Sequence, residues 1–74
     1  MAEITLNKNI RFGKPTIKGT RIAVDDVLGA LSGGMTFEEV EKEYKIKRSD
    51  ILAVLKYATN IISEERIGVL AVSR

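Results

Sequence analysis

The sequence predicts an α+β fold: short N-terminal β-strands arranged as a hairpin, a three-helix helix-turn-helix-like core, and a C-terminal β-strand. Three observations lead there. β-Branched residues alternate with Asn, Gly and Pro through residues 1–24, apolar residues recur at helical spacing between 25 and 63, and Ile67-Gly68-Val69-Leu70-Ala71-Val72 is a nearly continuous apolar run. At 74 residues the chain reads as a single domain, 1–74, divided into a β-rich basic segment (1–24), the helical core (25–63) and a strand or tail (64–74). A core this small supplies only about 3–5 kcal/mol of net stability, so a homodimer or a bound partner is expected.

The first third breaks into Ile4-Thr5-Leu6, Ile10-Arg11-Phe12, Thr16-Ile17 and Arg21 to Val24, each short enough to be a strand and separated by turn-forming residues. Pro15 cannot donate to a ladder and belongs at a strand start or sheet edge, and Gly19 suits the positive-φ position of a turn over Ile17 to Thr20. The first helix is predicted from Val24, Val27, Leu28 and Leu31, with Asp25 as its cap and Gly33-Gly34 as a left-handed stop; Gly29 inside it costs about 1 kcal/mol relative to Ala. The second starts at Thr36, whose hydroxyl can cap while Glu39 reaches back and Met35 and Val40 form a hydrophobic staple. Phe37, Val40 and Tyr44 share its inner face, leaving Glu38, Glu39, Glu41 and Glu43 toward water. After Lys45-Ile46-Lys47 a third helix, capped by Ser49 with Asp50 near its positive end, is predicted to reach about residue 62. Its apolar set, Ile51, Leu52, Val54, Leu55, Ala58, Ile61 and Ile62, is wider than one small core needs. Leu52, Leu55 and Ile62, with Ile67, Val69 and Leu70 of the tail strand, are therefore the candidate interface to another chain.

Charge is segregated along the chain more than its net +2 suggests. Lys8, Arg11, Lys14, Lys18 and Arg21 stand against Glu3 in residues 1–24, a balance of +4; six acids stand against Lys42 in residues 25–44, a balance of −5; residues 45–74 return to +3. Such a pattern steers nucleic acid or an oppositely charged protein, or is simply a solvated surface. With no Cys and no His the chain has no disulfide, thiol or imidazole chemistry, and no usual zinc ligands. No apolar run reaches the roughly 20 residues of a membrane helix and no secretory-signal layout opens the chain, so a cytoplasmic protein is expected.

Motifs for catalysis are missing. Gly13-Lys14-Pro15-Thr16 lacks the upstream glycine of a phosphate loop, and Pro15 removes an amide that would cradle phosphate. The acids Asp25, Asp26, Glu38, Glu39, Glu41 and Glu43 form no oxygen-ligand loop, and no Ser or Thr has a base partner, so neither a metal, a cofactor, a small-molecule substrate nor an enzymatic activity is inferred. The second and third helices resemble a helix-turn-helix unit in which Val40, Tyr44, Ile46, Ile51 and Val54 are the buried positions. DNA contacts would then come from Lys47, Arg48 and Lys56 together with the cationic ribbon Lys8, Arg11, Lys14 and Lys18. Against this, glutamates on the second helix face phosphates, and only Phe12 could stack on bases. Arg21 is assigned a structural task, pairing with Asp25 or Asp26 at the first helix start.

The segment Gly13-Lys14-Pro15-Thr16-Ile17-Lys18-Gly19-Thr20-Arg21-Ile22 carries a more specific message. With Val24, Val27, Leu31, Gly34, Glu39, Val40, Tyr44, Asp50 through Leu55, Tyr57 and Ala58, it resembles the prokaryotic domain of unknown function 433 family, over about residues 4–60. In that segment Gly13, Pro15, Gly19, Thr20 and Arg21 are the structural motif. Members commonly have Pro after the tyrosine where this chain has Lys45. The resemblance implies a small α+β protein, often dimeric, that acts as an antitoxin neutralising a PIN-domain-like toxin or repressing its own operon. Two other readings stand beside it: a DNA-binding transcriptional regulator, and a non-catalytic structural dimer whose tail strand pairs across protomers.

Overall fold

A computed structural model describes the backbone of residues 3–73 and the side chains of residues 3–63. The fold is α+β, with strands β1 (Ile4–Leu6) and β2 (Pro15–Ile17) followed by helices α1 (Val24–Ser32), α2 (Phe37–Tyr44) and α3 (Arg48–Ser73). The two strands are antiparallel, with Ile4 opposite Ile17, Thr5 opposite Thr16 and Leu6 opposite Pro15. Pro15 thus opens an edge strand, as its missing N–H requires. Beyond it, Ile17 N–H donates to Ile22 O at 3.0 Å and Thr16 bridges Ala23.

The β2 exit is a tight turn of the anticipated kind. Thr20 N–H donates to Ile17 O at 3.0 Å with Gly19 at φ 84, where a side chain would be strained. The Thr20 hydroxyl donates to the same carbonyl at 2.8 Å and accepts from Ile22 N–H at 3.0 Å. One Thr side chain therefore holds both limbs of the turn.

Two of the expected strands are replaced. Residues Arg11–Gly13 form a left-handed turn rather than a strand, with positive φ at Arg11 (51), Phe12 (59) and Gly13 (83). The Asn7 side-chain oxygen accepts from Asn9 N–H at 2.9 Å, and Ile10 N–H closes on Asn7 O at 2.8 Å, so the chain is already curling before Arg11. From Arg21 onward only Ala23 makes a strand bridge, because helix α1 begins at Val24 with Ala23, not Asp25, as its cap residue. The Asp26 carboxylate, at the third helical position, reaches back to accept from the cap residue's own N–H, Ala23 N, at 3.0 Å, the half of a capping box that an apolar cap residue leaves available.

Helix α1 ends as predicted. Gly34 is left-handed at φ 106, Met35 N–H closes on Ala30 O at 3.1 Å and Gly34 N–H on Leu31 O at 3.0 Å. Helix α2 opens with the full capping box: Glu39 N–H donates to Thr36 Oγ1 at 3.1 Å while Thr36 N–H donates to Glu39 Oε1 at 2.9 Å. It closes through Lys45, a left-handed residue at φ 57 and ψ 47, after which Ile46 N–H reaches Glu41 O at 3.1 Å. A proline, fixed near φ −65°, could not occupy that position. Helix α3 starts at Arg48, so its cap is Lys47 rather than Ser49, and Asp50 reaches back to accept from Lys47 N–H at 2.9 Å.

Helix α3 does not stop near residue 62, and the expected tail strand is not shown. The helix is continuous over Arg48–Ser73, without a proline or glycine pair to end it. The side chains of Ile67, Val69 and Leu70 lie outside the described residues. The core joins all three helices to the sheet: Ile17, Val24, Val27, Val40, Ile46, Ile51 and Val54 are buried together, with Ile4, Met35, Phe37, Tyr44 and Leu55 packed against them. Four of the five positions expected to be buried in the helix pair, Val40, Ile46, Ile51 and Val54, are in that set, and Tyr44 borders it. Among the described residues no helix is long and apolar enough to cross a membrane.

Candidate functional site

The left-handed turn Arg11–Gly13 stands against the start of α1. An Arg11 guanidinium nitrogen, Nη1, donates to Asp26 Oδ2 at 2.8 Å and to Arg21 O at 3.1 Å. Lys14 Nζ lies 3.2 Å from Asp25 Oδ2. The hydrogen bond from Arg11, helped by the one from Ala23 N–H and opposed by partial burial, holds the Asp26 carboxyl below the usual carboxylate range, and the same pair raises the pKa of Arg11. The tie between the β-part and the first helix is therefore made by Arg11. Arg21, expected in that task, is exposed, contributes its carbonyl, and makes no ion pair among the described residues.

Phe12 sits at the tip of this braced turn with 99% of its surface exposed. Two consecutive non-glycine residues in the left-handed region cost on the order of 1–2 kcal/mol each, and nothing in the fold gains from the position of the Phe12 ring. A strained backbone presenting an uncovered aromatic is a poor solution for stability alone and a good one for contacting another molecule.

Folding also neutralises much of the charge segregation. Arg11 and Lys14 pair with the first acids of the acidic block, and Lys18 Nζ lies 3.4 Å from Glu3 Oε1. Of the expected cationic ribbon Lys8, Arg11, Lys14 and Lys18, only Lys8 is without a carboxylate partner among the described residues. On the helical side Lys47 and Lys56 are exposed, whereas Arg48 lies with its guanidinium carbon 4.8 Å from the centre of the Phe37 ring and its Nε 3.9 Å from Glu41. Glu38, Glu39 and Glu43 are exposed as expected, and Glu41 is half-buried beside Arg48. Gly13, Pro15, Gly19 and Thr20 all serve turns or strand ends.

Of the candidate interface residues, Leu52 and Ile62 are exposed at 52% and 55%, while Leu55 is half-buried against the core. Leu52 forms one wall of an open groove of about 570 Å³ between α3 and β1, lined also by Glu3, Ile4, Ala53, Lys56 and Tyr57. Sequence reasoning missed this groove, because periodicity marks the apolar face of α3 but not where the sheet beside it ends. It also missed the Arg11–Asp26 pair, which spans fifteen residues and has no local signal. The Asn7-Lys8-Asn9 curl before Arg11 was the available hint that no strand follows.

Residues 4–58 match the family described as "Protein of unknown function (DUF433)". A search of curated proteins finds no match. A solved structure, "X-ray crystal structure of Rv2018 from Mycobacterium tuberculosis", is similar with a TM-score of 0.64 and 31% sequence identity over 70% of this chain, which spans only 24% of that longer one.

Proposed function

We propose, from the premise that the chain belongs to the DUF433 family of proteins of unknown function, that it is a non-catalytic, antitoxin-like binding module that captures a PIN-like nuclease in the cytoplasm, with repression of its own operon as an associated role. The observation that carries this reading is Phe12, uncovered at the tip of a turn that two ion pairs hold in place. A rigid aromatic on a braced loop is the sort of anchor that fills a partner's pocket at small entropic cost. The family resemblance supplies the class of partner, and the turn supplies the contact.

The test separates binding from folding. Replacing Phe12 by Gly removes no packing and relieves a positive φ, so Phe12→Gly is expected to gain about 0.5–1 kcal/mol in stability. The same substitution is expected to lose co-purification with the product of the neighbouring gene and to stop relieving that product's toxicity. A variant that still rescues growth as well as the parent, or a neighbouring gene whose product never co-purifies, overturns the reading.

A DNA-binding regulator is the second reading, favoured by the exposed Lys47 and Lys56 on the α2–α3 unit. Glu38, Glu39 and Glu43 on the preceding helix oppose it. It requires promoter binding that weakens steeply with salt, and a titration without a shift at low salt removes it.

A further inference from the structure

We infer that the outer edge of β1 is a self-pairing edge, on which a second copy of this chain docks its own Ile4–Leu6 antiparallel to the first. The argument starts from register. Lys18 N–H donates to Glu3 O at 2.8 Å, so Glu3 and Lys18 are a hydrogen-bonded pair of the antiparallel ladder. Such pairs alternate along a ladder, which makes Thr5 and Thr16 the next one and leaves Ile4 and Leu6 in non-bonded pairs with Ile17 and Pro15. The N–H and C=O groups of Ile4 and Leu6 therefore point away from β2. Among the described residues they meet no backbone partner. A strand with free groups on this side is a template for another strand.

The side chains select which strand. Ile4 and Leu6 lie on the same face as Ile17, the face turned to the core, yet Leu6 is 65% exposed. Directly beside Ile4 is the groove walled by Leu52, Ala53 and Tyr57 of α3. When two copies pair about a two-fold axis through Thr5, Ile4 of each faces Leu6 of the other in a hydrogen-bonded pair, giving about four backbone hydrogen bonds. That register sets the exposed Leu6 of each copy over the other's groove, next to Ile4 and Leu52. Two otherwise unexplained features, an uncovered leucine and an unfilled apolar groove, complete one another. Charge does not oppose it: Glu3 faces Asn7 of the second copy, and no two like charges are set opposite.

This inference does not depend on the nuclease reading, since it rests on β1 and the groove beside α3, whose lining does not include Phe12. It is tested on the full chain by sedimentation over a concentration series with hydrogen exchange. The parent is expected to reach twice the 8.2 kDa of one chain, with the Ile4 and Leu6 amides protected only in the dimer and the Thr5 amide protected in both states. Leu6→Lys and Leu52→Lys, at exposed positions on the two sides of the contact, are each expected to weaken dimerisation at least about tenfold while circular dichroism stays that of the folded chain. Phe12→Gly should leave it unchanged. A parent that is monomeric throughout, a dimer untouched by Leu6→Lys, or a dimer lost instead on deleting residues 67–74 overturns the assignment.

Discussion

Residues 3–23 and residues 24–63 become ordered by different means. The helical part is held by apolar burial: Val27, Val40, Ile51 and Val54 have no exposed surface, and the helix ends are closed by local caps and left-handed stops. The amino-terminal part adds Ile17 and Ala23 to the buried set and packs Ile4 and Ile22 against it, while its turns are organised by polar contacts, namely the Thr20 hydroxyl, the Asn7 curl, and the Arg11 guanidinium bridging to Asp26 and Arg21 O. Burial is non-directional and tolerates approximate shapes, whereas these contacts fix positions of individual atoms. The difference explains why the uncovered Phe12 turn and the free β1 edge lie in the part that contributes fewer buried side chains to the core. Such a segment can present surfaces to other molecules without emptying the interior.

The comparison is broken most readily from the helical side. Ile51 is fully buried at the meeting point of α3 with the sheet and the other helices, so Ile51→Ala is expected to cost about 3 kcal/mol. In a domain whose core supplies about 3–5 kcal/mol, that leaves about 0–2 kcal/mol, at or close to the unfolding midpoint. Urea denaturation followed by circular dichroism measures it. A cost below about 1 kcal/mol would mean that the polar contacts of the amino-terminal part carry more than their share.

A smaller effect is expected at the seam between the parts. Asp26→Asn keeps the shape and loses the charge that Arg11 meets, and is expected to cost about 1 kcal/mol at pH 7. The sign of its pH dependence follows from Asp26 being held below its ordinary range by Arg11. A depressed carboxylate stabilises the fold above its unfolded value, about 3.9, and that contribution is lost as pH falls through the folded value. The stability gap between parent and Asp26→Asn should therefore be constant from pH 7 to about 5 and close on further acidification. A gap that widens in acid would assign the work to another group.

The same division governs what the sequence revealed. Helical spacing located α1, α2 and the start of α3, and Thr36 with Glu39 marked a cap down to its two hydrogen bonds, because these signals are local. Gly19 and Pro15 were legible for the same reason. The Ile10-Arg11-Phe12 strand was misread because β-propensity ignores the turn that Asn7, Asn9 and Gly13 impose together. The role given to Arg21 belongs to Arg11, which finds Asp26 only once the chain has folded back, and the tail read as a strand continues α3 because apolar runs do not distinguish the two. The candidate site was therefore half legible: its residues were in view, and the surface they form was not.

The smallest expected effect sharpens the contrast from within the helical part. Lys45 is a long side chain in a left-handed conformation at the end of α2, a position where glycine is the usual residue because it has no Cβ to oppose the carbonyl. Its side chain is exposed and makes no ion pair among the described residues, so nothing local offsets the strain. Lys45→Gly is expected to raise stability by about 0.5–1 kcal/mol in the same urea titration, less than glycine's ideal gain because the unfolded chain also becomes more flexible. Here, unlike at Phe12, relief of strain should come without loss of partner capture, because Lys45 lies at the α2–α3 turn and Phe12 on the braced loop. If Lys45→Gly also abolished capture, the strained backbone at α2 would belong to the binding surface, and the division between a supporting helical part and a presenting amino-terminal part would fail.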